Sequence, residues 1–423
     1  MLNNNIFTIK TCVAHLKFVS LQSISNCTQM NQGHYVFSQI VRVLPKRYFE
    51  RLVAKYPDRT GKWSFTHWNQ LLVLMYGQLA GCRSLRELSD LLVAHYRKAY
   101  FLGFGAIVAK RSTLSLANNL RDYRIYEAFA YHMVELAQKA RIDKEFDLHG
   151  KFYAFDSTTI DLCMALFPWA TFHHEKSGIK MHTLLDMTTQ IPVFYHITNA
   201  LVHDVNAMDL ISFEKMATYV FDRGYWDLER LFKINMLGAF FVIREKGAPT
   251  FEIITGENIL DGDDNVLLDQ TVRFARASNA QKYPAEIRRV VYYAPELGRS
   301  FVYYTNCFHL AAKDIALLYK YRWLVELFFK WIKQHLIVKK FWGNSENAVR
   351  IQLYAAISTY CAVAILEQKL QLNRSIYEVL RILSSSLLTK DNVKDLFVKS
   401  DIEISDDTTF YDDYIEELDL DFE

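Results

Sequence analysis

What the chain is short of narrows its class. Its six cysteines, Cys12, Cys27, Cys82, Cys163, Cys307 and Cys361, include no CxxC pair. Neither a zinc cage nor a disulfide framework fits that spacing, which points to reduced thiols in a cytoplasm. With 15 Gly and 7 Pro in 423 residues, collagen-like and linker-dominated designs are excluded. No run reaches the roughly 20 uninterrupted apolar residues of a membrane span. Leu71 to Gly81 and Leu353 to Leu366 are shorter and carry Gln, Ser or Thr, as buried core helices do. The first 29 residues lack a charged stretch ahead of a long apolar one, so they do not read as a secretory signal. With Met30 opening the patterned sequence, residues 1–32 read as an extension or a flexible N-terminus.

What is present supports a folded chain of two or three units: 51% of residues are hydrophobic, ample for a packed core. The net charge of +2 conceals an asymmetry. Residues 401–423 carry eleven Asp or Glu and no Lys or Arg, which leaves +13 on the other 400. Between Arg42 and Arg124 stand fifteen Lys or Arg against five Asp or Glu. A basic front half with an acidic end fits a chain that meets a polyanion, and equally a protein with ordinary charged faces.

Residues 33–143 read as helical, with apolar side chains recurring at three and four in Ile40, Val43, Leu44 and in Leu85, Leu88, Leu91, Leu92. Ser84 to Glu87 has the form of a capping box. After a break at Gly103 to Gly105, Ser112 or Thr113 is placed to cap a helix through Arg121. A polar face with Arg111, Asn118, Asn119 and Arg121 suits a helix-turn-helix reader of DNA, or a plain helical packing module. Near Lys151 the pattern turns to β-rich runs: Phe152 to Thr159, Ile179 to Met187 and Ile191 to Thr198. A helical stretch from Ala207 to Ala217, the strand Tyr219 to Phe221, a helix from Leu228 to Met236 and a strand from Ala239 to Arg244 follow. Three strands and then alternating helices and strands is the order of a ribonuclease-H-like α/β core. Residues 247–300 interrupt it with further β-rich runs; Phe301 to Thr305 resumes it, before long helices at about Ala312 to His335 and Ser345 to Gln371.

Three acids stand out. Asp156 and Asp222 each follow a short apolar strand, and strand ends of α/β sheets are where ligands collect. A turn-capping role is the ordinary alternative for either alone. Two carboxylates held together repel unless a cation lies between them, and Mg²⁺ suits an oxygen-only, half-built site. Tyr319, Arg322, Glu326, Lys330 and Lys333 fall within a narrow arc of one helix at about 100° per residue. Glu326 lies within Trp323-Leu324-Val325-Glu326-Leu327-Phe328-Phe329, where an ionised glutamate needs a cationic partner or a metal.

Tyr319-x2-Arg322-x3-Glu326-x6-Lys333 resembles the YREK signature of DDE transposases from bacterial insertion sequences, of the insertion-sequence-four family. Phe155-Asp156-Ser157-Thr158-Thr159-Ile160 is similar to that family's first catalytic strand, and Phe221-Asp222-Arg223-Gly224-Tyr225 to its second. His174 to His182 is similar to the hairpin strand between them. The motifs come in order over roughly Asp143 to Gln371, and the helical segment before them resembles, less specifically, the family's N-terminal DNA-binding region.

The resemblance implies a helical DNA-binding domain at 33–143 and a ribonuclease-H-like catalytic core at 144–246 and 301–371. A β-rich insertion would fill 247–300; beyond the resemblance, residues 372–400 read as a C-terminal helical region and 401–423, by composition, as an acidic tail. The resemblance further implies that Asp156, Asp222 and Glu326 are catalytic and bind two Mg²⁺ ions, with Mn²⁺ able to substitute, for strand cleavage and strand transfer. Tyr319, Arg322, Lys330 and Lys333 would hold DNA phosphates; Lys180 and His182 would touch DNA from the neighbouring strand, and Arg111, Asn118 and Arg121 from the N-terminal domain. The partners implied are double-stranded DNA, as element ends and target, and a second copy in a synaptic homodimer, in a bacterial cytoplasm at the nucleoid. In some relatives a Trp in the insertion supports a flipped base. No Trp occurs between Asp227 and Arg322 here, so Tyr292, Tyr293 or Tyr303 would have to substitute. Two other readings remain: an inactive DNA-binding repressor of element ends, and a ribonuclease-H-fold nuclease without strand transfer.

Overall fold

The computed structural model describes residues 33–56, 64–105, 109–141, 148–173, 176–258, 265–335 and 341–398. The N-terminal extension, His174-Glu175 and the acidic tail lie outside them. Among the described residues, one compact unit comprises those of 33–133 with 347–398, and the second those of 134–346.

The first unit is helical, and two of its helices are buried almost all round. In His67–Leu79, Gln70 through Leu79 are all buried, and Thr66 caps the helix by accepting from the Asn69 amide at 3.1 Å. Glu346–Leu370 is the second, 25 residues long. By length and composition it could cross a membrane, but 94% of its most apolar window is buried inside the protein, as a core helix is. It is longer than the apolar run in the sequence indicates, because Gln352, Ser358 and Thr359 are buried within it, the two hydroxyls with their hydrogen bonds made. Gln78 Nε2 donates to the Gln352 carbonyl at 2.9 Å, and the Ser358 and Thr359 hydroxyls each donate to the carbonyl four residues back. Residues 347–398 thus group with the helical unit, whereas the sequence boundaries assign 347–371 to the catalytic core.

The second unit is built on one ten-stranded sheet. Its strands are β1 (Phe152–Leu162), β2 (Thr171–His173), β3 (Lys176–Asp186), β4 (Ile191–Asn199), β5 (Thr218–Phe221), β6 (Phe240–Arg244), β7 (Phe251–Asn258), β8 (Val266–Phe274), β9 (Ile287–Ala294) and β10 (Arg299–Thr305). The order is β2-β3-β1-β5-β6-β10-β9-β8-β7, with β4 also paired to β3. β1 runs antiparallel to β3 and parallel to β5, which is parallel to β6. This is the ribonuclease-H-like arrangement expected from the element order. All four residues of β5 are buried, as are the first four of β1, because central parallel strands are covered on both faces. The β-rich insertion is an antiparallel extension of the same sheet, joined to the core through β10.

Several local expectations change. The stretch expected to be helical over Ala207 to Ala217 is a four-residue helix, Asp204–Ala207, and a 3-10 turn, Met208–Leu210. Lys110, not Ser112 or Thr113, stands at the N-cap of the helix Arg111–Leu120. The Ser84 hydroxyl does accept from the Glu87 amide, but Glu87 returns to the Arg83 amide, so the box is displaced by one residue. The complete capping box is at Ser375 and Glu378. Of the cysteines, Cys307 is buried, whereas Cys163 is exposed.

Candidate active site

Sheet register brings the two aspartates together. β1 and β5 pair in parallel up to Phe155 opposite Phe221, and β5 and β6 up to Phe221 opposite Ile243. One residue further on these three adjacent strands stand Asp156, Asp222 and Arg244. Asp222 closes its strand, as its sequence context indicates, and accepts from the Gly224 amide at 3.3 Å. Asp156 does not: β1 continues to Leu162 on β3 alone. What ends at Asp156 is the pairing with β5, and that frees the space the carboxylate faces.

The signature segment is two helices, Ala312–Tyr321 and Trp323–His335, rather than one. The Arg322 amide bonds to the carbonyl of Tyr319, three residues back, and the Val325 amide to that of Arg322, so the turn between them is tightened. Val325, Phe328, Phe329, Trp331 and Ile332 are buried, which fixes the face on which Glu326 lies.

Arg322 ties the acids together. Its Nη1 donates to Asp156 Oδ2 at 3.0 Å and its Nη2 to Glu326 Oε1 at 2.5 Å, and its side chain is only 13% exposed. Tyr319 Oη donates to Asp222 Oδ1 at 3.1 Å, and Arg244 Nη2 stands 3.7 Å from the same oxygen. Burial pushes the Asp156 carboxyl up to about 6, and the opposing charge of Arg322 only moderates this. Burial also acts upward on Asp222, but Arg322, Arg244 and the amides of Arg223 and Gly224 together hold it below the usual carboxylate range. Two nearby acids are therefore pushed in opposite directions by their surroundings.

The donor set fits a hard divalent cation: three carboxylates, no sulfur, and one acid whose ionised form is disfavoured until a further positive charge arrives. Among the described residues, no group of three or more His, Cys, Asp or Glu stands ready to hold an ion. The Arg322 guanidinium lies between Asp156 and Glu326 and supplies their counter-charge.

Other expected contacts fall differently. Lys330 and Lys333, on the same helix as Glu326, are half-buried. Lys180 does not face outward: its side chain is 13% exposed, with Nζ 3.0 Å from Asp204 Oδ1 and 3.0 Å from the Val202 carbonyl. His182 is fully buried and bonds to Thr198 Oγ1 at 3.0 Å; burial pulls its imidazolium down to about 4, so the ring is neutral. Both belong to a brace, completed by a Ser157 Oγ–Asp204 hydrogen bond, under the part of β1 that β5 no longer supports. They were legible as neighbours of the strand that carries Asp156, but alternation along β3 and the position of Asp204 turn them inward. In the helical unit Arg111 is exposed, whereas Asn118 and Arg121 are each 1% exposed. Arg121 donates to the Thr66 carbonyl and to Gln70 Oε1, both at 2.9 Å, and to the Phe65 carbonyl, while Gln70 Nε2 donates to Asn118 Oδ1 at 2.6 Å. Those two residues hold the helices together and do not present a reading face to DNA. Of the tyrosines in or beside the insertion, Tyr303 is buried with its ring 4.8 Å from that of Tyr319, while Tyr293 is exposed. Arg244 is the site residue that sequence reasoning missed; its only signal was a basic residue ending a buried strand next in order to that of Asp222.

Residues 148–362 match the family described as "Transposase DDE domain", and residues 32–105 match a family described only as a domain of unknown function. A chain of Sinorhizobium fredii named as transposase y4zB is 38% identical over 53% of this chain and 63% of its own length. A chain of Geobacillus stearothermophilus named as the transposase of insertion sequence element IS5377 is 33% identical over 48% of this chain and 54% of its own. A chain of Synechocystis named as the transposase of insertion sequence element IS4SA is 22% identical over 66% and 78%. The match thus spans about three-fifths of the first relative and about half of the second. A solved piggyBac transposase synaptic complex with hairpin DNA overlaps 90% of this chain and 82% of that one at 10% identity, with a TM-score of 0.42. With the domain match covering half the chain and including Asp156, Asp222 and Glu326, this protein belongs to the transposase DDE domain family.

Proposed function

We propose that the chain is a cut-and-paste DNA transposase that binds the terminal inverted repeats of an insertion sequence and catalyses strand cleavage and strand transfer. The observation that carries this reading is the convergence of Asp156 and Asp222, from adjacent parallel strands, with Glu326 through the Arg322 guanidinium. Membership of the family implies dependence on a divalent metal, which we take to be two Mg²⁺ ions at the three acids. Bound there, they would activate the attacking water or 3′-hydroxyl and stabilise the leaving 3′-oxygen.

The chain's own residues supply the rest. Arg322 releases the two acids and turns its planar fork to a phosphate, where a bidentate contact fixes orientation as a lysine cannot. Tyr319, held against Asp222, offers its hydroxyl to a neighbouring phosphate oxygen once that acid is engaged. Arg244 stays beside Asp222 and keeps it ionised. Lys330 and Lys333 extend the positive face along the helix toward the DNA backbone. Cleavage and strand transfer are both in-line attacks on a phosphodiester, so one such site serves both. Joining two ends makes a homodimer on DNA the natural assembly.

The test is cleavage of labelled duplex bearing the element's ends, in Mg²⁺, by the wild type and by Asp156→Asn and Glu326→Gln variants. Loss of nicking in both is expected, with DNA binding retained. Nicking by either variant at the wild-type rate would overturn the assignment, and nicking by the wild type with no joined product would reduce it to a nuclease.

A further inference from the structure

The helical unit carries a surface whose composition no part of the chemistry above uses. We infer that Tyr35, Arg97, Lys98, Tyr100, Phe101 and Lys390 form its docking surface for double-stranded DNA, an inference that rests on the reading of the chain as a DNA-handling enzyme.

Three stretches of chain build the surface. Backbone bonds from the Val36 amide to the Thr389 carbonyl and from Phe37 to Leu387 hold residues 386–390 beside Tyr35. Gln39 reinforces the join, donating to the Asp391 carbonyl at 2.7 Å and accepting from the Val393 amide at 3.1 Å. The third stretch, 97–101, is anchored by the buried side chains of Ala99 and Leu102. On this frame the ammonium groups of Lys98 and Lys390 lie 5.6 and 5.5 Å from the centre of the Tyr35 ring. Phe101 packs against the same ring at 6.5 Å and against Tyr100 at 5.7 Å. Tyr100 and Phe101 are nevertheless 72% and 64% exposed.

A soluble surface does not ordinarily leave two large adjacent rings this open, so a partner is implied. Charge selects its chemistry. From Leu91 to Leu120 there is no Asp or Glu, while Arg97, Lys98, Lys110 and Arg111 are all basic. Cations around exposed aromatic rings match a ligand that offers phosphates at its edge and flat apolar faces within, as a DNA duplex does. The cations would neutralise phosphates, and Tyr100 and Phe101 would press on sugar and base edges. The surface also supplies what buried Asn118 and Arg121 cannot.

The experiment uses the full chain and a fluorescently labelled random-sequence duplex, with anisotropy read across a salt series. For a Lys98→Glu, Lys390→Glu variant we expect affinity to fall about tenfold or more and the logarithmic salt slope to lessen by about 2. For Tyr100→Ala, Phe101→Ala we expect weaker binding with the slope unchanged. Because Tyr100, Phe101 and Lys390 are exposed and Lys98 is only half-buried, circular dichroism should show both variants folded. If the wild type binds duplex and both variants match it in affinity and slope, the inference is overturned while the proposed function stands. If the aromatic variant alters sedimentation but not DNA affinity, the surface joins copies of the chain and the inference is likewise overturned. If the wild type binds no duplex at any salt, the proposed function fails and takes the inference with it.

Discussion

Replacing Arg322 by alanine is the sharpest probe of the site. In the metal-free protein its guanidinium bridges Asp156 and Glu326, whose side chains are 18% and 25% exposed. Removing it leaves two crowded carboxylates without their shared counter-charge. Breaking a buried pair in this way costs about 3–5 kcal/mol, and partial exposure puts the expected loss near the lower end. Arg322→Lys should recover only part, since an ammonium is a point charge that cannot reach both acids at once. The decisive comparison adds metal. If a divalent cation and the guanidinium occupy the same electrostatic position, Mn²⁺ should raise the thermal midpoint of Arg322→Ala more than that of the wild type, where metal must first displace the arginine. Thermal melts of both proteins at pH 7.5, with and without Mn²⁺, measure this. Equal metal-free midpoints, or equal metal-induced shifts, would refute the account of Arg322 as the internal counter-ion of the acids.

The other predictions concern protons, the brace and the helical unit. With the folded-state value of Asp156 raised to about 6, its contribution to metal-free stability is present below the unfolded value and is lost as pH rises through about 6. Asp156→Asn should flatten that limb of the stability profile, and metal titrations in two buffers should show protons released at pH 5.5 but almost none at pH 8. Asp204→Asn breaks the ion pair with Lys180 under β1 while keeping the shape. It should lower the turnover of cleavage several-fold with little change in DNA affinity, and Asp204→Glu should recover part of it; equal losses in both variants would mark the residue as merely structural. Arg121→Ala removes a buried guanidinium with its hydrogen bonds to the Phe65 and Thr66 carbonyls and to Gln70 Oε1, the last two of which keep the Gln70 amide and Tyr126 Oη as donors, and should destabilise the helical unit by about 2 kcal/mol, read by denaturant melts. The salt slope of DNA binding should not change, and a drop of one unit would restore Arg121 as a phosphate contact.

Much of this protein is written in local sequence. Runs of four buried residues before Asp156 and within β5 mark central parallel strands, since only a strand covered on both faces is apolar without alternation. The spacing of Tyr319, Arg322, Glu326 and Lys333 survives the break at Arg322 because a single tightened turn shifts the helical phase too little to move them to different faces. Non-local facts were out of reach. Lys180 and His182 look like outward polar residues of a hairpin until Asp204, more than twenty residues on, folds beneath them. Asn118 and Arg121 give their helix a polar face, and only the approach of Phe65, Thr66 and Gln70 makes that face an interior one. Arg244 carries no motif and acquires meaning only when β6 pairs beside β5. Period and composition therefore determined which segments are strands and helices and where the three acids lie along the chain. Tertiary packing decided which charges meet, because burial and pairing depend on what arrives from distant sequence, and that information resides in no single segment.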